Sequence, residues 1–408
     1  MKSFNTFIIE DKNIHMEHLE DNVLNGGVDG TRQTINFLRA IRDMLVGHSK
    51  KSVDITVKWD GAPAIFAGID PNDGQFFVAK KGIFNKTPQL FKTDADIKSG
   101  LSGALAAKFT IALAEFSKLD IKGIIQGDLL YTKSDLKTVN FEGQSYLTFH
   151  PNTIVYAVPT NVPLAQKIKS SKIGVVWHTT YSGTDFESMS ASLGGDISSS
   201  LTSTKSVWFT DATYQDQSGL ATMTAAETKE ITRILSTAGK IFQKIDASTL
   251  NGIAEDPVLL QKIKTFNNLK IRAQQPISNT SKHVNELIAY IVNFYKGEAA
   301  KRSTPRGQAT QVTQRQNVIK FFTKTNKTNL KAIFDMMNVI VAAKNLLISK
   351  LDTVKQLNTF LLTDNGYQAT GQEGFVAIDR IGGNTIKLVD RMEFSHANFS
   401  PNVQKGWS

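Results

Sequence analysis

The chain has 408 residues, 41% apolar and 21% charged, enough for two domains of ordinary size with a buried core and too apolar for wholesale disorder. It contains no cysteine, which excludes disulfides, any disulfide-linked partner, thiolate zinc sites, iron–sulfur clusters and a cysteine nucleophile. The formal charge of +10 is concentrated in one third of the chain: residues 222–365 carry 21 Lys+Arg against 10 Asp+Glu, and the remainder is within one charge of neutral. Such segregation fits a polyanion-binding element on a near-neutral body, with a solvated basic helical face as the plainer alternative.

The first ten residues meet an acid, Glu10, too early for a secretion signal. Helical spacing over 30–46 is followed by short strands at 53–59 and 75–80, rich in Val, Ile and Phe. A second helix is predicted at 103–119, where Leu105, Phe109, Ala112, Leu113 and Phe116 recur at three- and four-residue intervals. Strands at 123–130 and 173–177 come next. Between 182 and 219 Ser, Thr, Gly and Asp dominate, which predicts a long, mobile surface connection. Helical patterns then cover 225–245, 281–296 and 330–362, with a basic loop at 301–308. The longest apolar run, 336–343, is interrupted by Asn338 and falls well short of the ~20 residues of a membrane span. Strand pattern returns at Glu373. The expected fold is α+β, with a first part at 1–221, an all-helical basic insertion at 222–365 and closing strands at 366–408. A cytoplasmic protein without a membrane partner is expected.

The strand at 53–59 alternates Val53, Ile55 and Val57 with Asp54, Thr56 and Lys58, so one face is core and the other ends in a lysine. A sharp turn, Trp59-Asp60-Gly61-Ala62-Pro63, follows at once. A lysine there is a candidate amine nucleophile, which must first lose its proton; an ordinary surface lysine is the alternative. Other chemistry-bearing positions are Lys80 in Lys80-Lys81-Gly82, Asp128 after Gly127, and the two strands that start at Glu373-Gly374 and Thr385-Ile386-Lys387. If Gly382, Gly383 and Asn384 form a three-residue hairpin loop, Asp379 pairs with Lys387, and Glu373 shares a sheet face with Lys387. A two-residue loop places them on opposite faces.

In order, Lys58-x-Asp60-Gly61, Lys80-x-Gly82, Gly127-Asp128, the aromatic strand around Trp177, Glu373-Gly374 and Lys387 resemble the motifs of the covalent nucleotidyltransferase superfamily, the ATP-dependent DNA and RNA ligases and mRNA capping enzymes. The resemblance covers residues 1–185 and 370–395, and the whole chain also resembles a ligase-like group from large tailed bacteriophages. It implies a nucleotidyltransferase (ATP-grasp-like adenylation) domain of antiparallel sheets, ATP and magnesium as cofactors, and RNA or DNA ends as partners. It implies Lys58 as the nucleophile that takes up AMP and Lys387 as the cation on the α-phosphate. Asp60, Gly61, Lys80, Asp128, Trp177 and Glu373 would line the nucleotide, with Tyr156 the rival of Trp177 for the adenine stack. Asp128 and Glu373 would also hold the metal.

The family pattern is departed from in three places. Val389 stands where a second lysine is usual, with Arg391 as its candidate replacement. Only 17 residues follow Arg391, too few for an OB domain, and the basic helices precede Glu373 instead of following the last motif. An RNA ligase is therefore expected ahead of a DNA ligase, the alternative being a non-ligating nucleic-acid-binding protein on the same scaffold. In the basic segment, Lys301, Arg302 and Arg306 are the expected phosphate contacts. His15 and His18, with Glu17 and Asp21, have helical metal-ligand spacing but no third ligand nearby, so a surface helix is the better reading. Residues 25–31 mimic a phosphate loop without its Gly-Lys-Ser/Thr ending and read as a loop before a helix. His178 reads as a partly buried structural histidine.

Overall fold

Alternation and helical spacing are both realised in a computed structural model, which describes residues 18–47, 53–216, 219–379 and 385–406. Helices α1 (Asp21–Asn25) and α2 (Gly27–Leu45) lead into strands β1 (Val53–Val57), β2 (Ala64–Ile69), β3 (Phe76–Ala79) and β4 (Leu90–Phe91). Helices α3 (Asp94–Gly100) and α4 (Gly103–Phe116) precede β5 (Ile124–Thr132), β6 (Lys137–Phe141), β7 (Gln144–Phe149) and β8 (Ile154–Pro159). Then come α5 (Pro163–Ser170), β9 (Ile173–Ser182), β10 (Ser190–Leu193) and β11 (Val207–Asp211). Six helices follow: α6 (Ala225–Phe242), α7 (Ala247–Glu255), α8 (Pro257–Arg272), α9 (Thr280–Ala300), α10 (Pro305–Ile319) and α11 (Lys324–Leu351). The described chain closes with β12 (Asn358–Thr363), β13 (Gly366–Ala369), β14 (Phe375–Asp379), β15 (Thr385–Leu388) and α12 (Arg391–Phe399).

The fold is α+β, and its sheets are antiparallel apart from the parallel β11–β9 pair. One sheet runs β1-β14-β15, a second β10-β9-β5-β2-β3-β4 with β11 on β9, and a third β13-β12-β8-β7-β6. Alternate residues of the second sheet feed different cores. Ile65, Ala67, Ile125, Val175 and Trp177 pack with Phe109 and Phe116 of α4, whereas Phe66, Phe77 and Tyr181 pack with Phe186 and Met189.

Four expectations are revised. Residues 182–219 are not a featureless connection: β10 and β11 both pair with β9, and the Asp211 carboxylate accepts the N–H groups of Ile197 and Ser198. Strand structure returns at Asn358, ahead of Glu373, because Thr359, Phe360, Leu361 and Leu362 extend the β8 edge. The basic helices share one core with the rest: Ile231, Leu287 and Ile340 belong to the same buried cluster as Leu38 of α2 and Ile55 and Phe375 of the first sheet.

The β14–β15 register pairs Val376 with Lys387 and Ile378 with Thr385, so Asp379 is not opposite Lys387. This register gathers Phe375, Ala377, Ile386 and Leu388 on the core-facing side, which the three-residue-loop register would split between two faces. The turn itself, 380–384, lies outside the described residues.

At 28 residues, α11 is the one described helix long and apolar enough to cross a membrane. Its composition has another cause here: Leu330, Ile333, Phe334, Ile340, Leu347 and Leu351 are buried against α2, α6, α7 and α9. Lys344, in its middle, is buried too and bonds to Glu20 at 2.8 Å.

Candidate active site

Strand β1 passes its pairing with β14 on to the next residue, for the Lys58 N–H donates to the Gly374 carbonyl at 2.8 Å. Glu373 is thereby carried beside Lys58, and Lys58 Nζ and Glu373 Oε1 form an ion pair. Gly374 has φ +145°, and a Cβ there would lie 2.6 Å from the Leu388 carbonyl oxygen and 2.7 Å from Val389 Cγ2. Only glycine admits that turn.

The turn after Lys58 is fastened from the other side. Asp60 accepts Asn152 Nδ2 at 2.7 Å and the N–H groups of Thr153 at 2.6 Å and Ile154 at 2.7 Å. Its own N–H donates to the Tyr156 hydroxyl at 2.6 Å. The Ala62 N–H donates to the Leu129 carbonyl, and the Leu129 N–H to that of Pro63. Gly61 lies directly over β5, where a Cβ would come 2.6 Å from Asp128 Cβ. A lysine from β1, a glutamate preceding β14 and an aspartate from β5 are thus drawn into one site.

Burial, reinforced by the charges of Asp60 and Asp128, outweighs the Lys58 ammonium and pushes the Glu373 carboxyl up to about 7. Its Oε2 is buried without a hydrogen-bond partner. Burial also raises the Asp128 carboxyl, against the opposing pull of His178 and Lys58. His178 Nε2 stands 3.7 Å from Asp128 Oδ2, and its Nδ1 is 2.7 Å from Thr179 Oγ1. Trp177 pairs with Gly127 and Thr179 with Gln126, so His178 is an extra residue in β9, and this bulge turns it to Asp128. Burial lowers the imidazole pKa, so His178 tends to stay neutral.

The residues expected from sequence divide into three groups. Lys58, Gly61, Asp128 and Glu373 converge. Asp60 is brought to the same place, but both its oxygens are used to hold the 152–154 backbone and side chains, so its geometry is that of a loop anchor. Lys387 sits across β14 from β1, level with Val376 and Thr56 on the face that Lys58 continues, and its backbone bridges His18.

Trp177 does not reach the site. It is fully buried against Phe116, with ring centroids 5.3 Å apart, because it falls on the core-facing side of β9. Its rival Tyr156 is sandwiched between Trp59 and Phe149. Of the neighbouring lysines, Lys81 and not Lys80 acts on Asp128, since continuing the β2–β3 register places Lys81 level with Ala64, the partner of Asp128. Val389 is buried, and Arg391 is committed to Asp21, Glu20 and Asn268.

Lys301 and Arg302 lie in the turn between α9 and α10, both facing Glu298, and Arg306 is in the first turn of α10. His15 and Glu17 lie outside the described residues. His18 is drawn down to about 3 by burial and the Arg391 charge, and no group of three or more potential metal ligands occurs among the described residues. Residues 25–31 form the junction of α1 and α2, where Asn251 Oδ1 accepts the Val28 N–H. Sequence reasoning passed over Lys81, Asn152 and Phe394, whose ring centroid is 6.0 Å from Lys58 Nζ.

A model of one protein family matches residues 13–405. The chain belongs to DUF6267, a family of unknown function. The DUF6267 match takes in Lys58, Asp128 and Glu373 together with all six basic helices, so the site and the helical segment belong to one family unit. No curated protein and no solved structure matches the chain.

Proposed function

We propose that this protein is an ATP-dependent polynucleotide ligase that works through a lysyl-AMP intermediate, with RNA ends preferred to DNA ends. The observation that carries the reading is the convergence of Lys58, Glu373 and Asp128, each placed by a turn in which a glycine is required or closely approached. Lys58 Nζ must lose a proton to become nucleophilic, and Glu373, with a carboxyl near 7 in direct contact, is the group to receive it. The nitrogen then attacks the α-phosphorus of ATP, a P–N bond forms, and the bond to the β-phosphate oxygen breaks with release of pyrophosphate. AMP passes next to a 5′-phosphate end, from which a 3′-hydroxyl displaces it.

The orphaned Glu373 Oε2 and the Asp128 carboxylate fit magnesium, which is commonly held by one or two carboxylates plus phosphate oxygens and water. Bound there, it would offset charge on the phosphates. Lys81 adds a cation on the Asp128 side, where the resemblance had pointed to Lys80.

The test is incubation with α-labelled ATP and magnesium. Label should enter the chain in an alkali-stable, acid-labile bond and be absent from Lys58→Ala. A second reading, a nucleic-acid-binding protein that does not ligate, is favoured by the burial of both Trp177 and Tyr156, which leaves neither ring free to stack on a purine. Wild-type protein that binds strands but never takes up label would select it.

A further inference from the structure

We infer that the cavity behind Glu373 is a binding site for a primary ammonium group, carried by a small polyamine or by a lysine side chain. The cavity holds about 220 Å³ between the last turns of α11, residues 370–374 and α12. That is ample, since roughly 150 Å³ accommodates a benzene-sized guest. Asp60, Asp352, Glu373, Asp390 and Glu393 line it, and no Lys, Arg or His is among the lining residues.

Most of these carboxylates are held in place by donors. Asp390 caps α12 and takes Asn345 Nδ2 at 2.7 Å, while Asp352 takes the Gln372 N–H at 3.0 Å. Hydrogen bonds of this kind orient charge without cancelling it. Three neighbouring ammonium groups, Lys58, Lys355 and Lys405, face the five carboxylates, which leaves the wall short of positive charge.

Two further lining atoms show what is missing. Glu373 Oε2, on a side chain only 7% exposed, and Asn345 Oδ1 are buried acceptors with no donor. An ammonium group brings three donors and no acceptor, the complement of such a wall, whereas a hydroxyl, carboxylate or phosphate brings lone pairs. A bare metal ion fits less well, because the described residues offer no cluster of three potential ligands. Phe394 completes the wall with a ring face of the kind that attracts cations. The inference goes beyond nucleotidyl transfer and does not rest on it, since the cavity can fill without ATP.

The test is calorimetric titration of the full chain, without ATP and at constant ionic strength, with putrescine, Nα-acetyl-lysine amide and tetramethylammonium. One saturable site is expected for the two primary amines, and the tighter of them identifies the source. Ser349→Lys, at an exposed lining position, should supply a tethered ammonium and abolish binding. Glu393→Gln should weaken it about fivefold, as removal of one partly exposed charge does. No saturation by either amine, or wild-type affinity in Glu393→Gln, overturns the site. Equal binding of tetramethylammonium, which has no N–H, overturns the hydrogen-bonding assignment. AMP labelling measured on the same samples separates failure of this inference from failure of the ligase reading.

Discussion

Two lysine–glutamate pairs in this molecule have opposite characters. Lys344 and Glu20 are both almost fully buried, and against the upward push of burial Lys344 and Arg391 draw the Glu20 carboxyl down to about 2. Lys58 and Glu373 are also in contact, yet burial and two further carboxylates hold Glu373 near 7. The difference is the count of charges around each pair. Cations surround Glu20, so its proton is gone and the pair is fixed as ions. Acids surround Glu373, so its proton is exchangeable near neutral pH, which is what chemistry at Lys58 requires. Contact between lysine and glutamate does not by itself distinguish a structural bolt from a reactive site.

Removing each lysine sharpens the contrast most. Lys58→Ala should eliminate AMP labelling while leaving the melting transition nearly unchanged, because this side chain is partly exposed. Lys344→Met should do the reverse, costing about 3–5 kcal/mol in denaturant unfolding because Glu20 would be left as an unpaired buried charge. A cost below about 1 kcal/mol, the range of exposed pairs, would show that the Glu20 pair is not locked.

The two pairs should also respond to pH with opposite signs. Glu373 has its folded value raised from 4.5 to about 7, so the stability it contributes is present below 4.5 and lost as pH rises towards 7. Glu373→Gln should therefore raise the melting temperature relative to wild type more at pH 8 than at pH 5. His18 and Glu20 are both depressed, to about 3 and about 2, so what they contribute is lost on acidification, from 6.5 downwards for His18 and from 4.5 downwards for Glu20. Equal effects of Glu373→Gln at the two pH values would remove the contrast. The smallest effect is expected from the joint replacement of Lys301, Arg302 and Arg306 by alanine. Strand binding should weaken with little regard to sequence, and its salt slope should flatten by about 0.7 for each phosphate that is no longer neutralised. Labelling should persist.

What could be read in advance was local. Lys58 and its turn follow from alternation over seven residues, and α4 from its three- and four-residue spacing. The role of Asp60 was hidden because its partners lie at 152–154, in another sheet's approach. The β14–β15 register was open because one residue of loop length inverts every face. Trp177 misled because aromatic character says nothing of which side a strand presents, and the bulge at His178 leaves no mark in composition. The common core of the basic helices depends on packing of α2 against α6, α7 and α11, which no local pattern reveals.

The central place of β14 in its sheet has a consequence for synthesis. On its other side β1 is met by residues 212–214, which emerge soon after it, but the β14 edge stays open until all the helices from α6 to α11 have been made. A nascent or truncated chain therefore carries Lys58 without Glu373 and with an unpaired strand edge, a state prone to pair with other chains. Completion of translation is the event that arms the lysine, and a ribosome that stops early releases a product unable to consume nucleotide.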